Sequence, residues 1–379
     1  MRIGLLTTSL GNFGEKGFYN LQEVGLAKNM DSFFDEIKIY KLVSINQEKR
    51  VEQVEGCEHS FIYYIPSKGF GINGRLNVHI LDQTLDVLIY FSDTQFVVPK
   101  VYRWTKKNNI CFYPYIGVIK SHSEKKINRI IMDFVSKRNI VVFKKCHCLV
   151  KTPKVKEDLQ KLGVKKMTVV PVGLDLDLLQ KNYKEYGIDE LKGKFGYKYK
   201  TKIILFVGRM VEEKQPIRML KIFSQVSKEN ELYRLVMVGT GPLLKSIEEF
   251  VKDNDLSDKV QLLDRVPNNE IWKLYRMADV FINLNQSEIF GMAILEAMYY
   301  ECKVVAWKAP GPNFIIENGV SGWLIENDED AVTKILDRKA LGEEAKRQVM
   351  SKFTWERTGY IIKRLLENSD ENSSNTYVL

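Results

Sequence analysis

Four charged residues in the second half of the sequence lie next to or inside apolar runs. Arg209 and Lys214 follow "ILFVG", Glu288 follows "FINLN", and Glu296 lies inside "GMAILEAM". A carboxylate that is buried in ionised form without partners costs several kcal/mol, so Glu296 must be protonated, paired or used to hold a ligand. Because the other three groups follow predicted strands, where α/β proteins bind ligands, a ligand site is the favoured interpretation.

These residue types support the binding of a nucleotide sugar. Arg209 and Lys214 are cations, and the predicted helix beside them begins with backbone amides of Phe290, Gly291 and Met292. Cations and free amides at a helix start suit a diphosphate. The two carboxylates would accept hydrogen bonds from sugar hydroxyls. Their eight-residue separation corresponds to about 12 Å along a helix, enough to separate two sugar rings.

The elements that position these groups alternate between strands and helices along the chain. In the first half, strands are predicted for "RIGLLTTS", "EIKIYKLV", "HSFIYYIP", "DVLIYFS", "NICFYPYIG" and "CHCLVKT". In the second half, they are predicted for "KIILFVGR", "RLVMVGTG", "KVQLLDR", "DVFINLN" and "KVVAWK". This alternation predicts the α/β class, with two Rossmann-like domains built on parallel sheets.

The length of 379 residues is ordinary for two domains, and the composition suggests where they divide. The N-terminal domain is predicted over 1–180, a Lys-rich and Tyr-rich linker over 181–202, and the C-terminal domain over 203–352. A last helix over 353–367 could pack back on the N-terminal domain, and 368–379 reads as a flexible tail.

The net charge of +9 indicates anionic partners. Much of this charge lies in a predicted amphipathic helix near residue 130, which is either a membrane-facing basic helix or a surface helix whose apolar stripe packs on its own sheet. Its apolar positions are Ile127, Ile130, Ile131 and Phe134, and its basic positions are Lys125, Lys126, Arg129, Lys137 and Arg138. The sequence contains no nucleic-acid-binding motif, so nucleic acid is not an expected partner.

The five cysteines are scattered and odd in number, which predicts a reducing, cytoplasmic location rather than a disulfide framework. No apolar run reaches the length of a membrane span, and the N-terminus does not resemble a secretory signal. Cys146, His147 and Cys148 are adjacent, but neighbouring residues alternate across a strand and no second ligand pair has suitable spacing. No metal site is predicted.

The second half resembles the retaining GT-B glycosyltransferases of family four, also called group one. The segment "FVGRMVEEKQ" is similar to the family's Gly-Arg…Lys phosphate-binding segment, and "EIFGMAILE" matches its Glu-x7-Glu signature. The segments "LVMVGTGP", "ADVFINLNQSE", "PGPNFIIENGVSGWLI" and "FTWE" follow in the expected order, from about Lys202 to Glu356. In the first half, only the opening strand with its glycine loop and "VVPVGLD" resemble the family.

The resemblance implies a GT-B fold, with the two sheets facing each other across a cleft, and assigns roles around the donor. Arg209 and Lys214 would hold the diphosphate and stabilise charge on the departing nucleotide, and Glu288 would contact the transferred sugar. The two cations would take the place of a metal ion, so neither a metal nor a cofactor is expected. The reaction would be a hexosyl transfer that retains the anomeric configuration, and a protein nucleophile is not required.

Further donor contacts are implied by the same resemblance. Glu296 would bind the ribose hydroxyls, and the backbone near Arg265 and Val266 would contact the base. Gly291 and Met292 would offer amides to phosphate or sugar. Taken singly, each of these residues also has an ordinary structural interpretation.

The N-terminal domain, which would bind the acceptor, departs from the family pattern. Many members have a histidine near the fourth or fifth strand, and "LIYFSDTQF" and "CFYPYIG" contain none. Asp93 is the preferred substitute, with Tyr115 and His122 as alternatives. Gly14 and Gly17 either approach the donor phosphates or simply complete a strand-to-helix turn.

These inferences predict transfer from a nucleotide sugar, with UDP favoured, to a glycan acceptor. The resemblance implies an acceptor carried on a lipid, in cell-surface polysaccharide synthesis, at the inner face of the membrane. One alternative is a non-catalytic GT-B domain that binds sugars or a partner enzyme. Another is a dinucleotide-dependent oxidoreductase, but "GNFGEKG" lacks the G-x-G-x-x-G spacing.

Overall fold

The computed structural model describes residues 1–10, 22–70, 73–92, 94–119 and 126–374, excluding the side chains of residues 70, 126–128 and 369–374. The chain divides into two compact units. Unit 1 comprises Met1–Gly173 and Trp355–Leu379, and unit 2 comprises Leu174–Thr354. Within the described residues, no helix is both long enough and apolar enough to span a membrane.

Unit 1 is built on an eight-stranded sheet with the order β10-β9-β8-β7-β1-β2-β4-β3. All neighbouring pairs are parallel except β3 and β4. Its strands are β1 (Arg2–Thr7), β2 (Glu36–Ser44), β3 (Arg50–Gln53), β4 (Ser60–Ser67), β7 (Val87–Phe91), β8 (Cys111–Ile116), β9 (His147–Val150) and β10 (Lys166–Val169), with β5 (Gly69–Phe70) and β6 (Asn73–Gly74) forming a separate hairpin. The helices that accompany them are α1 (Gln22–Met30), α2 (Val98–Lys107), α3 (Lys126–Phe143) and α4 (Pro153–Lys161).

The central strands of unit 1 have nearly continuous apolar sequences because both of their faces are covered. In β1 and β7, four consecutive residues are buried, which is typical of parallel strands between helical layers. The edge strand β3 is exposed at all four positions and pairs antiparallel. Its polar sequence, "RVEQ", carries no apolar pattern, and the sequence did not predict it.

Helix α3 does not bury the apolar stripe that one of its two interpretations places on the sheet. Ile130, Ile131 and Phe134 are 61%, 41% and 70% exposed. The residues that α3 buries are Val135, Ser136, Asn139, Ile140, Val142 and Phe143. The interpretation in which the Ile130–Phe134 stripe packs on the sheet is therefore wrong.

Unit 2 contains a six-stranded, wholly parallel sheet with the order β13-β12-β11-β14-β15-β16. Its strands are β11 (Lys202–Val207), β12 (Tyr233–Val238), β13 (Val260–Leu263), β14 (Val280–Asn283), β15 (Lys303–Trp307) and β16 (Trp323–Ile325). Its helices are α5 (Ile188–Lys194), α6 (Pro216–Glu229), α7 (Leu244–Asp253), α8 (Trp272–Met277), α9 (Met292–Tyr299), α10 (Pro310–Ile315), α11 (Asp328–Leu336) and α12 (Gly342–Lys352). One apolar core joins the strands to α6, α7 and α11.

The units divide earlier than the composition suggested. Residues 181–202, expected as a linker, belong to unit 2. Tyr183 is fully buried there, and the Lys192 ammonium lies 3.0 Å from the Asp279 carboxylate. Lys184 of the same segment pairs with Glu301 of unit 2. These contacts make the segment part of the fold of unit 2.

The last helix, α13 (Trp355–Ser374), returns to unit 1. Trp355 is 1% exposed and lies against α1 at Gly25, where an added Cβ would be 2.3 Å from the indole nitrogen. The Thr358 hydroxyl donates to the Pro171 carbonyl at 2.8 Å. Because α13 extends to Ser374, the tail expected from residue 368 is helical over its first residues.

Candidate donor-binding site

The sheet order of unit 2 places a binding edge between β11 and β14. The chain adds β12 and β13 on one side of β11 and then crosses to add β14, β15 and β16 on the other. Ligands of such sheets bind outside the carboxyl ends of the strands, at the point where the strand order reverses. The loops that follow β11 and β14 therefore form the candidate site.

The loop after β11 carries the two predicted cations. Arg209 is exposed and forms no ion pair with any described residue. Lys214 ends a short 3-10 turn, Glu212–Lys214, and Gln215 has a φ of +58°. Pro216 then begins α6, where its missing N–H removes no helical hydrogen bond.

The loop after β14 brings Glu288 to the Lys214 side chain. The Lys214 Nζ lies 2.7 Å from Glu288 Oε2, and the two side chains are 24% and 16% exposed. The same oxygen accepts from the Asn285 amide at 3.2 Å and from the Asn283 amide at 3.4 Å. Two of the predicted catalytic residues therefore meet in a partly buried ion pair, although 74 residues separate them in sequence.

Glu296 lies on α9 and is buried. The Tyr275 hydroxyl of α8 donates to Glu296 Oε2 at 2.7 Å. Burial raises the pKa of Glu296 to about 7, and the hydrogen bond from Tyr275 opposes that rise. Among the described residues, the second carboxylate of the motif is thus buried with Tyr275 as its side-chain donor, and its raised pKa lies near neutral pH.

The start of α9 forms the third part of the site. Gly291 has a φ of +103° and precedes the first helical residue, Met292. No side chain of the described residues caps this end of the helix. The Phe290 ring is only 8% exposed and packs on Phe353, so this ring belongs to the core and only its backbone amide can serve the site.

The remaining predicted residues follow β13, lie in the core of unit 1 or fall outside the described residues. Arg265 and Val266 follow the edge strand β13; Arg265 is exposed and Val266 is partly buried. Tyr115 is fully buried, and its hydroxyl donates to the Val170 carbonyl at 3.0 Å, so it is not a surface group. The residues outside the described part of the chain are Gly14, Gly17, Asp93 and His122.

Four residues of this arrangement were not singled out in the sequence. Asn283, Asn285 and Glu213 surround the Lys214–Glu288 pair, and Tyr275 supports Glu296. The alternating asparagines of "NLN" at a strand end are a turn signal that could have indicated two of them. Nothing in the sequence around Tyr275 distinguishes it from a core aromatic residue.

Within the described residues, no group of three or more His, Cys, Asp or Glu side chains could hold a metal ion. The Cys146 thiol donates to the Val142 carbonyl, and the His147 ring shares a hydrogen bond with Thr168. Burial raises the pKa of both Cys146 and Cys148. All five cysteines are free thiols.

The family described as "Glycosyl transferases group 1" matches residues 187–356, which carry this arrangement. The match covers nearly all of unit 2, which is therefore similar to group 1 glycosyltransferase domains. The match begins at α5 rather than at β11, consistent with the finding that residues 181–202 fold as part of unit 2.

Curated relatives of the group 1 domain cover a similar share of the chain. The chain is 29% identical over 170 residues to the alpha-monoglucosyldiacylglycerol synthase of Streptococcus pneumoniae, covering 45% of this chain and 38% of that protein. It is 27% identical over 215 residues to the D-inositol 3-phosphate glycosyltransferase of Corynebacterium jeikeium, covering 52% and 51%. The chain thus spans about half the length or less of these relatives.

Solved structures match nearly the whole chain. The sucrose-phosphate synthase of Thermosynechococcus elongatus aligns with a TM-score of 0.73 at 14% identity, covering 98% of this chain and 99% of that one. Anabaena HepE, solved with UDP and glucose, aligns with a TM-score of 0.68 at 15% identity, covering 97% and 100%. The protein has the GT-B fold, with two parallel-sheet α/β units.

Proposed function

We propose that this protein is an enzyme that transfers a sugar from a nucleotide-sugar donor to an acceptor hydroxyl. The observation that carries the proposal is the meeting of Lys214 and Glu288 at 2.7 Å on the edge where the strand order of unit 2 reverses. Arg209 stands on the same loop as Lys214 with an exposed guanidinium. A diphosphate beside these cations and a sugar beside the carboxylate would satisfy all three groups.

UDP is the proposed nucleotide. Anabaena HepE was solved with UDP and glucose, and the pneumococcal O-GlcNAc transferase, which aligns with a TM-score of 0.56 at 17% identity, was solved with UDP and GlcNAc. Both structures share the GT-B fold with this chain. We propose a UDP-hexose as donor, with its ribose bound at Glu296 and its base near Arg265 and Val266.

The proposed reaction retains the anomeric configuration and needs no metal ion. The bond between the anomeric carbon and the β-phosphate oxygen breaks, and UDP leaves with the bonding electrons. The acceptor oxygen attacks on the same face, and its proton passes to the departing phosphate. Arg209 and Lys214 would stabilise the charge that develops on UDP, which is the role a divalent cation plays in other enzymes.

Substitution of Glu288 by glutamine tests the proposed function. Glu288→Gln keeps the size of the side chain but removes the charge that faces the sugar, so UDP release from UDP-glucose or UDP-N-acetylglucosamine should fall by roughly a hundredfold. The assay follows UDP release, and circular dichroism checks that folding is unchanged. Donor binding without any UDP release in the wild type would favour the non-catalytic alternative. If calorimetry detects no binding of any nucleotide sugar to the wild type, the proposal is overturned.

We further propose that the acceptor glycan is carried on a lipid and that the reaction belongs to cell-surface polysaccharide synthesis. The proposed location is the inner face of the membrane, where α3 would contact anionic lipid. Ile130, Phe134 and Val141 follow helical spacing and are 61%, 70% and 57% exposed. Lys137 and Arg138 lie on the same part of the helix. Exposed apolar residues with basic neighbours are typical of helices that bind the surface of anionic bilayers. The pneumococcal relative is named alpha-monoglucosyldiacylglycerol synthase, and this name refers to a glycosylated lipid.

Sedimentation with phosphatidylglycerol vesicles tests this contact. Phe134→Glu places a charge in the middle of the apolar stripe and should reduce the bound fraction by several-fold. Val51→Glu is the matched control, because Val51 is 52% exposed on β3 of the same unit. Equal binding of wild type and Phe134→Glu, or equal loss in both variants, would contradict the contact.

A further inference from the structure

The loop between β14 and α9 is held by side chains that bind their own backbone. Asn283 Oδ1 accepts from the Asn285 N–H at 3.0 Å. Asn285 Oδ1 in turn accepts from both the N–H and the hydroxyl of Ser287 at 3.0 Å. The Gly311 N–H donates to the Glu288 carbonyl at 2.8 Å. The backbone that carries Glu288 is therefore fixed on both sides of the residue.

The Asn285 amide nitrogen links this loop to the loop after β11. This nitrogen donates to Glu213 Oε1 at an N···O distance of 3.1 Å and to Glu288 Oε2 at 3.2 Å. Asn285 is 1% exposed, whereas Glu213 is exposed and Glu288 partly exposed, so these bonds are partly buried. A buried neutral amide between two carboxylates satisfies both of them and separates their charges.

The donors around Glu288 converge on one of its two oxygens. Lys214, Asn285 and Asn283 all donate to Oε2. No residue in the described part of the chain donates to Oε1. The carboxylate is therefore held through one oxygen, which leaves the other to accept a hydroxyl.

Two of these three donors are independent of the diphosphate. Lys214 is the cation expected to bind phosphate, so its bond to Glu288 would weaken when a donor enters. Asn285 and Asn283 are neutral and cannot form an ion pair with phosphate. Asn285 has the shorter bond of the two and the lower exposure, 1% against 9%.

We propose that Asn285 is a positioning residue that holds the Glu288 carboxylate in place, so that Oε1 accepts a hydroxyl of the transferred sugar while Lys214 binds the diphosphate. This inference rests on the proposed function and deepens it. Asn285 acts mainly on the sugar part of the donor, and its effect on the nucleotide itself is the smaller one.

The test measures the Kd of UDP-glucose and of UDP by calorimetry for each variant. Asn285→Asp retains the oxygen that accepts from Ser287, so the turn is kept, but it replaces the donating amide with a third carboxylate. Asn285→Ala removes both functions. The matched control is Asn254→Ala, because Asn254 is an exposed asparagine whose amide binds only the Phe250 carbonyl of its own helix.

Asn285→Asp and Asn285→Ala should each weaken UDP-glucose binding by roughly tenfold or more, which corresponds to the loss of a hydrogen bond to a charged group. The Kd of UDP should change by a clearly smaller factor than that of UDP-glucose in both variants, and Asn254→Ala should change neither value. In a Glu288→Gln background, the Asn285 substitutions should cause little further loss, because the carboxylate they position is already absent.

Three outcomes would overturn the inference. Equal weakening of UDP and UDP-glucose by Asn285→Asp would show that Asn285 only maintains the loop. Unchanged UDP-glucose binding in both variants would show that Glu288 needs no support, and full additivity with Glu288→Gln would show that the two residues act separately. A wild type that binds neither UDP-glucose nor UDP-N-acetylglucosamine would instead overturn the proposed function, and the inference with it.

Discussion

At the scale of single residues, the two carboxylates of unit 2 differ in their surroundings. Glu288 is partly exposed and has three donors, of which one is a lysine. Glu296 is buried and has a hydrogen bond from Tyr275. The first arrangement holds a partly exposed carboxylate against a lysine, and the second buries a carboxyl group whose pKa is raised to about 7.

Glu296 should make donor binding depend on pH. Its pKa in the folded state is raised to about 7 from an ordinary value of 4.5. The stability that this group contributes is therefore present in full below about 4.5 and is lost as the pH rises through about 7. The affinity for ribose hydroxyls depends on pH in the opposite direction. Only the ionised carboxylate accepts hydrogen bonds from both hydroxyls.

The affinity for UDP-glucose should consequently rise as the pH increases through about 7, by up to tenfold per pH unit below that point. UDP-glucose is the suitable probe because its diphosphate does not titrate in this range. Glu296→Gln should bind more weakly and show a flat profile when the same titrations are repeated. A wild-type profile that is flat, or one that Glu296→Gln leaves intact, would contradict the assignment of Glu296 to the ribose.

At the scale of elements, the loops at the binding edge depend on close contact between their backbones. Gly239 follows β12 with a φ of +138°, and an added Cβ would lie 2.0 Å from the Gly208 carbonyl oxygen. Gly208 directly precedes Arg209. A side chain at residue 239 would therefore displace the segment that carries the first cation of the site.

Gly239→Ala should lower the free energy of unfolding by about 1–3 kcal/mol, because it combines backbone strain with a steric clash. It should also weaken UDP binding, since Gly208 and Arg209 must move.

Gly193→Ala is the control, because Gly193 lies inside α5 with no atom within 4 Å of an added Cβ. That change should stabilise the protein by about 0.5–1 kcal/mol. Denaturant unfolding and calorimetry measure the two effects, and equal behaviour of the two variants would contradict the prediction.

The elements that could be predicted from sequence are those with strong apolar patterns. The core strands β1, β7, β11, β12 and β14 have nearly continuous apolar runs because both faces are buried, whereas Lys38 and Lys41 interrupt the apolar run of β2. Strand β16 has only three residues, α10 is a short helix that begins with Pro-Gly-Pro, and α11 and α12 are rich in charged residues. None of these four elements was predicted. Helix α3 has apolar residues on two faces, so spacing alone could not show that Ile130 and Phe134 face outward.

The candidate site was predictable only in part, for a related reason. Charged residues that follow apolar strands must lie at the binding edge, which identified Arg209, Lys214 and Glu288. The roles of Asn285 and Tyr275 depend on which carboxylate each side chain reaches across the fold. Asn285 reaches Glu213, 72 positions away, as well as the nearby Glu288, and Tyr275 reaches Glu296 from a different helix. No single local pattern encodes these combinations.

At the scale of the whole molecule, the chain forms two units with separate cores, and α13 leaves unit 2 to complete unit 1. Trp355, at the start of α13, is 1% exposed and packs on α1 at Gly25. The stability of unit 1 therefore depends on a helix that lies at the far end of the sequence, whereas the proposed nucleotide site lies in unit 2 alone.

Substitution of Trp355 and addition of UDP should consequently act on different units. Trp355→Ala should cost unit 1 about 3–5 kcal/mol, because it opens a large cavity beside α1. UDP at a hundred times its Kd should stabilise unit 2 by about 2.7 kcal/mol. Scanning calorimetry should then show two transitions, of which the substitution lowers one and UDP raises the other.

Trp323→Ala is the control, because Trp323 lies on the edge strand β16 of unit 2 and its loss should lower only the transition that UDP raises. A single transition that responds to all three changes would mean that the units unfold together, and would contradict the independence expected from their separate cores.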